Sequence, residues 1–419
     1  MQFGNKLATL LSEKKKEIAS LSDKKTKMST NGNTTDTSDS RTTAAMTEPR
    51  RLRGLKATAT SCIASLHRPG LVAAADEEGY VCWFDLRCKD VLTTMDVGNN
   101  NPITSLCFKP GNEDIIYAST GNEVKCFDVH MAASWKQLES YNYNKDEINQ
   151  IACHSKSSFL AAADDSGDVK IIDMQQQCLY KTLRAGHESI CSSVQFLHWR
   201  PWEVITGGLD SKLVMWDFSK GCRNKILDFG LPDAGSRDGT GQLLNPAFIH
   251  ALVVPQLDMV DKLGKICVVA RGDGVVSVIN TESELAAFKS KKSSKPKKGT
   301  KSTSKGSVSS AEAQSQDKNN RRLHLDYSVG GHTAAVSCVT FSMFGEKGKF
   351  ILSGGNDKSV KVWDWSKFVD AGQISSCNDL LTLNINMSKK VNWLCTTPSD
   401  SENVVVCDTS KLVKVYTVG

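Results

Sequence analysis

Thr206-Gly207-Gly208-Leu209-Asp210-Ser211-Lys212-Leu213-Val214-Met215-Trp216-Asp217, preceded at a distance by Gly186-His187, is the stretch whose reading decides the fold. Leu213 to Trp216 is a short apolar run of strand type, and Val204 to Thr206, on the other side of a Gly-Asp turn, is a second. The same set returns as Gly331-His332, Ser353, Asp357 and Trp363. In both copies the hydroxyl precedes the Asp by four residues and the Asp precedes the Trp by six. An indole N–H buried between sheets needs an acceptor, which the hydroxyl can supply. His, Asp and Ser together also suggest a hydrolase triad, but a catalytic set is needed once and this one occurs twice at one spacing.

Outward from Trp216, the strand ending recurs as Phe84-Asp85, Phe127-Asp128, Ile172-Asp173, Trp216-Asp217, Ile279-Asn280, Trp363-Asp364 and Tyr416-Thr417. The first three intervals are 43, 45 and 44 residues, the length of a four-stranded propeller blade. Each ending closes the third strand of a blade. The strand before it shows in Leu71 to Ala75, Phe159 to Ala163, Ile266 to Ala270, Phe350 to Ser353 and Val404 to Cys407. The expectation is an all-β, seven-bladed β-propeller over residues 50–419, with a disordered polar tail at 1–49 and a disordered Lys/Ser-rich insert at 289–320. The sequence stops just after the seventh third strand, so Arg50 to Lys56 is the candidate for the outer strand of blade seven. The insert falls between the third and fourth strands of blade five. A further loop, Leu231 to Asn245, precedes that blade's first strand and projects from the opposite face. Its glycines lack the Lys-Ser/Thr of a phosphate loop. Phe3 to Leu21 has its leucines and Ile18 on one side, as a stable or a partner-induced helix would.

The net charge of +6 is unevenly placed. Residues 1–53 carry 11 basic and 6 acidic side chains, and residues 289–305 carry eight lysines and no acid, which leaves the remainder at −7. Lys291-Lys292 and Lys295-Pro296-Lys297-Lys298 fit a nuclear import signal or a solvated disordered tract, and both readings stay open. The tract has no aromatic residue to stack on bases, so any contact with nucleic acid is expected to be weak and nonspecific. No run approaches ~18 apolar residues, so no membrane helix is expected. The 14 cysteines form no Cys-x-x-Cys, and Cys62, Cys107, Cys267, Cys338 and Cys407 sit in apolar runs as buried thiols would. A reducing compartment, nucleus or cytoplasm, follows as an expectation.

Ala163-Asp164-Asp165-Ser166-Gly167-Asp168-Val169-Lys170-Ile171, Ile190-Cys191-Ser192-Ser193-Val194, Gly241-Gln242-Leu243-Leu244-Asn245-Pro246-Ala247 and Gly354-Gly355-Asn356-Asp357-Lys358 resemble the WD-repeat-containing protein 53 family, over about residues 52–365. The tail and the lysine insert depart from it. In WD-repeat proteins the four side chains of the repeat form a relay from His through the hydroxyl to the indole. The resemblance therefore implies structural relays of His187, Thr206, Asp210 and Trp216 and of His332, Ser353, Asp357 and Trp363.

The family is similar to the substrate receptors of cullin-4-type RING ubiquitin ligases, which bind the damaged-DNA-binding adaptor through a sixteen-residue box ending in Asp-x-Arg. Val72 to Arg87 is the best match, which implies an adaptor contact at Asp85 and Arg87. His130 stands at the Arg position in blade two, where the related family is expected to carry it, and the turns after Trp216 and Trp363 lack Arg. The functional expectation is a protein-binding scaffold, either a ligase substrate receptor or a general assembly scaffold. No catalytic, metal or cofactor residues are expected; His, Asp and Ser serve the relay.

Overall fold

The computed structural model describes residues 48–130, 135–156, 158–231, 245–286, 322–365 and 380–418. The Phe3–Leu21 segment and the rest of the tail to residue 47, nearly all of the Leu231–Asn245 loop, and the lysine-rich insert with its import-signal candidates lie outside these residues.

The described residues form 28 strands in seven four-stranded antiparallel sheets. Blade one runs Ala59–Ala64, Leu71–Asp76, Tyr80–Asp85 and Val91–Asp96, in that spatial order. The first strands of the other blades are Ile103–Lys109, Ile148–Cys153, Cys191–Phe196, Ile249–Val253, Val336–Phe341 and Val391–Thr396. Each packs against the first strand of the next blade, and the seventh packs against the first, so these strands ring a central axis. Middle strands are covered on both faces by neighbouring blades. That is why Leu71–Asp76 and Phe159–Asp164 read as apolar runs and not as alternations. Outer strands such as Val91–Asp96 alternate, with Met95 inside and Leu92 and Thr94 outside.

Arg50–Arg53 pairs antiparallel with Leu412–Tyr416, with Leu52 opposite Val413. This N-terminal strand is the outer strand of blade seven. It is shorter than the Arg50–Lys56 expectation, because beyond Gly54 the amides of Lys56 and Ala57 donate to Asp76 in the turn of blade one. Leu52 is 2% exposed, packed in one cluster with Val413 and Val415.

Blade five keeps the expected interruption. Its third strand, Val276–Asn280, is followed by a helical turn at 281–286, and its outer strand resumes at Arg322–Leu325. A feature the sequence reading lacked is the helical turn Leu257–Leu263, between the first two strands of this blade, whose Met259 and Leu263 pack with Phe341 and Met343 of blade six. Among the described residues no helix is long and apolar enough to cross a membrane. Cys62, Cys267, Cys338 and Cys407 are buried as expected, whereas Cys107 is half-buried at the wall of the axial cavity.

Candidate protein-binding faces

Antiparallel connectivity sorts the turns onto two faces. Turns between first and second strands, and between third and fourth, lie at one end of every sheet; Arg87 is there. Turns between second and third strands, and the links into the next blade, lie at the other end; His187 and Asp210 are there. The sequence-predicted residues therefore divide into relays that run from His187 and Asp210, or their blade six counterparts, at one face into the interior of the blade, and the Asp85–Arg87 pair on the other face.

In blade four the His187 Nδ1 lies 3.0 Å from Asp210, its Nε2 lies 2.8 Å from Thr206 Oγ1, and Trp216 Nε1 donates to the same Oγ1 at 3.0 Å. Blade six repeats this with His332, Asp357, Ser353 and Trp363, at 3.0, 2.8 and 3.0 Å. The chemistry fixes the direction. The indole can only donate, so the Ser353 oxygen accepts from it and passes its own hydrogen to His332 Nε2. The remaining ring N–H then donates to Asp357. Burial pushes His332 toward the neutral form that this chain of bonds needs. The Asp357 carboxyl would be raised by burial alone, but hydrogen bonds from His332, Ser359 and the Thr333 amide outweigh that and bring it down to about 2. Both hydroxyls are fully buried, at 0% exposure, and each accepts from an indole, so neither is presented to a molecule outside the blade. Gly186 precedes His187 for a local reason, since a Cβ there would sit 2.0 Å from Cζ2 of Trp216.

On the other face Asp85 ends the third strand of blade one and folds the turn back, its Oδ1 accepting from the Arg87 amide at 2.9 Å. Asp128 and Asp173 do the same for His130 and Gln175, which explains why Asp recurs at this place. Blade one alone then adds a guanidinium. Arg87 Nε and Nη2 reach Asp85 at 2.9 and 2.6 Å, while the Arg87 side chain remains 81% exposed. Its hydrogen bond holds the Asp85 carboxyl below the usual range, against a smaller burial effect. His130, at the same offset in blade two, turns to Asp114 at 3.1 Å. A residue that sequence reasoning missed braces the Arg87 turn. Arg50 of the N-terminal strand donates to the carbonyls of Leu86 and Cys88, on either side of Arg87, and pairs with Glu402 at 2.9 Å. No local pattern signals this, because Arg50 lies 36 residues from Leu86 and 352 from Glu402.

The same face opens into an axial cavity of about 500 Å³, lined among others by Ile63, Leu66, Phe108, Val253, Met343 and Trp393. Apolar side chains from first strands and their turns give it the character of a pocket for an inserted apolar group. Among the described residues no group of three or more His, Cys, Asp or Glu is placed to hold a metal ion.

Comparison with known proteins agrees with this architecture. Residues 14–174 match the family described as nucleolar protein 10-like, N-terminal domain. Residues 177–217 and 324–364 match the WD domain, G-beta repeat, and these are the two stretches that carry the relays. Over 380 residues the chain is 25% identical to a WD repeat-containing protein 53 homolog of Dictyostelium discoideum, covering 85% of this chain and 91% of that protein. It is 23% identical over 261 residues to the WD repeat-containing protein ATCSA-1 of Arabidopsis thaliana, covering 62% of this chain and half of that one. The crystal structure of the WD40 β-propeller domain of Doa1 superposes with a TM-score of 0.59 at 12% identity, over 89% of this chain and 97% of that one, a likeness of fold alone. With seven closed four-stranded blades, two complete relays and two matching repeats, the chain is a seven-bladed β-propeller that carries WD repeats.

Proposed function

We propose that this propeller is a non-enzymatic substrate receptor of a cullin-4-type RING ubiquitin ligase, acting in the nucleus or cytoplasm, and that the Arg87 face is where the ligase's adaptor binds. The coarser part, a protein-binding scaffold, follows from the WD-repeat fold. The single observation that supports the finer part is the Arg87 guanidinium, 81% exposed, oriented by Asp85 and standing on a turn pinned by Arg50. A pre-oriented planar fork can donate to carboxylates or carbonyls of a partner with little further loss of freedom, which a Lys point charge does not reproduce.

The test is recovery of the purified adaptor on immobilised full-length chain, wild type against Arg87→Ala and Arg87→Lys. The expected result is a loss of about 30-fold in affinity for Arg87→Ala, the size of a buried interface hot spot, with only partial rescue by Lys and an unchanged Tm. Equal binding by wild type and Arg87→Ala removes Arg87 from the contact. No binding by the wild type leaves the general assembly scaffold as the reading, with its clients on either face.

A further inference from the structure

Cys107 lies within the blade two first strand, two residues before its end, Cys153 closes the first strand of blade three, and their sulfurs lie 3.4 Å apart across the seam between the blades. The two strands are held in this register by other bonds. Thr104 Oγ1 donates to the Ile148 carbonyl, and the Ile151 amide donates to Ser105 Oγ at 3.2 Å. Both cysteines pack against the cluster of Tyr117, Ile151 and Leu160, and Cys107 of the two lines the axial cavity. A second cleft of about 290 Å³, lined by Tyr117 and Cys126, approaches the same seam from the outside.

We propose that Cys107 and Cys153 form an oxidation site, at which a hydroperoxide entering the axial cavity links blades two and three through a disulfide. Cys107, facing the cavity, is the attacking sulfur. Cys107 gives up its proton, its thiolate forms a bond to the near peroxide oxygen as the O–O bond breaks, and the hydroxide or alkoxide that leaves takes up that proton, giving a sulfenic acid and water from hydrogen peroxide or an alcohol from an organic hydroperoxide. The sulfur of Cys153 then attacks the Cys107 sulfur. The S–S bond forms, the S–O bond breaks, and the oxygen leaves as water with the Cys153 proton. Two thiols are oxidised and one peroxide is reduced. The sulfurs need to close from 3.4 Å to a bond of about 2.05 Å, a change within reach of side-chain rotation between two strands already in contact. The bridge would close a loop of 45 residues and add a second covalent link between two blades already joined by the chain segment 142–147.

The experiment uses the full chain, purified with reductant, desalted, exposed to hydrogen peroxide, quenched with N-ethylmaleimide and digested without reduction. The expected product is a peptide pair joining Cys107 to Cys153, lighter than its parts by two hydrogens and separated again by dithiothreitol. The oxidised chain should melt about 5 °C higher. Cys153→Ser should stop the reaction at a Cys107 sulfenic acid, trapped by dimedone, while Cys88→Ser and Cys222→Ser, at exposed thiols, should leave the linked pair unchanged. The wild-type peptide map does not depend on any variant folding. Alkylation of both thiols after peroxide treatment, linkage of Cys107 to a cysteine other than Cys153, or formation of the pair only in denaturant would each overturn the site.

Discussion

The Asn392 side-chain amide of blade seven donates to the Ala59 carbonyl of blade one at 2.8 Å, across the seam where the two ends of the chain meet. The second residue of most first strands makes the same bond to the first residue of the next. Thr60 donates to Ile103, Thr104 to Ile148, Asn149 to Cys191, Ser192 to Ile249 and Ser337 to Val391. Between blades five and six the equivalent residue is His250, and there an apolar cluster including Ala251, Val336 and Phe341 spans the seam.

The closing seam thus has two components of different size, and they can be separated. Asn392→Ala removes one partly buried hydrogen bond, worth about 1 kcal/mol, and should lower Tm by a few degrees. Deleting residues 1–56 also removes Leu52 and Leu55, both buried, and leaves the edge of Leu412–Tyr416 unpaired. Its Tm should fall several times further, whereas deletion of residues 1–45, which spares the Arg50–Arg53 strand, should change Tm little. Equal melting of the two truncations would mean that the strand does not close the ring.

The relays predict a sharper loss per atom removed. Ser353→Ala leaves the Trp363 indole N–H and the His332 Nε2 without their shared partner in a site where both are buried. The cost should be ~2–4 kcal/mol, about 1–3 for each orphaned group less what relaxation recovers. Ser353→Thr keeps the hydroxyl, as Thr206 does in blade four, and should recover most of it. Urea denaturation of the two variants measures the difference; similar midpoints would show that volume, and not the hydroxyl, matters there.

These relays were legible in the sequence because their members recur at fixed spacing within about 30 residues. The blade count and the position of the insert followed from the same period. What stayed hidden depends on pairs with no sequence relation, such as Arg50 with Leu86 and Glu402, or Cys107 with Cys153. The Leu257–Leu263 turn was too short to show a helical period. Third-strand lysines are a further case. Lys170 and Lys414 are 4% and 7% exposed, with ammonium groups on Asp168 at 2.9 Å and Asp408 at 2.6 Å, pairings that no sequence pattern announces.

Acid should weaken the fold in two steps. Burial pushes His154, His198, His250 and His332 below their ordinary value of about 6.5. The unfolded chain then binds more protons than the folded one as pH falls below ~6.5, so stability drops from there downward. Asp357, held at about 2, contributes stability above the ordinary carboxylate range that is lost as pH falls from ~4 through about 2. Melting temperature against pH should be flat above 7, begin to decline below about 6.5, and decline again below about 4. His198→Phe should reduce the first slope, since it removes one of the four groups. A profile rising on acidification through 6 would reverse the sign assigned to these histidines.

Arg50 links the closure strand to the Arg87 turn, so damage at one should be felt at the other. Its guanidinium donates to Leu86 and Cys88 and pairs with Glu402, at 26% and 33% side-chain exposure. At that exposure the ion pair itself contributes little. The two carbonyl bonds matter more, because they fix the backbone on both sides of Arg87. Arg50→Met keeps most of the apolar stem and removes the donors. It should lower Tm by only a few degrees, yet speed amide exchange at residues 86–89 by about tenfold, while exchange at the corresponding turn near His130 stays as it was. If residues 86–89 exchange at the wild-type rate in Arg50→Met, the turn is rigid through Asp85 alone, and the exposed guanidinium owes its placement to blade one without help from blade seven.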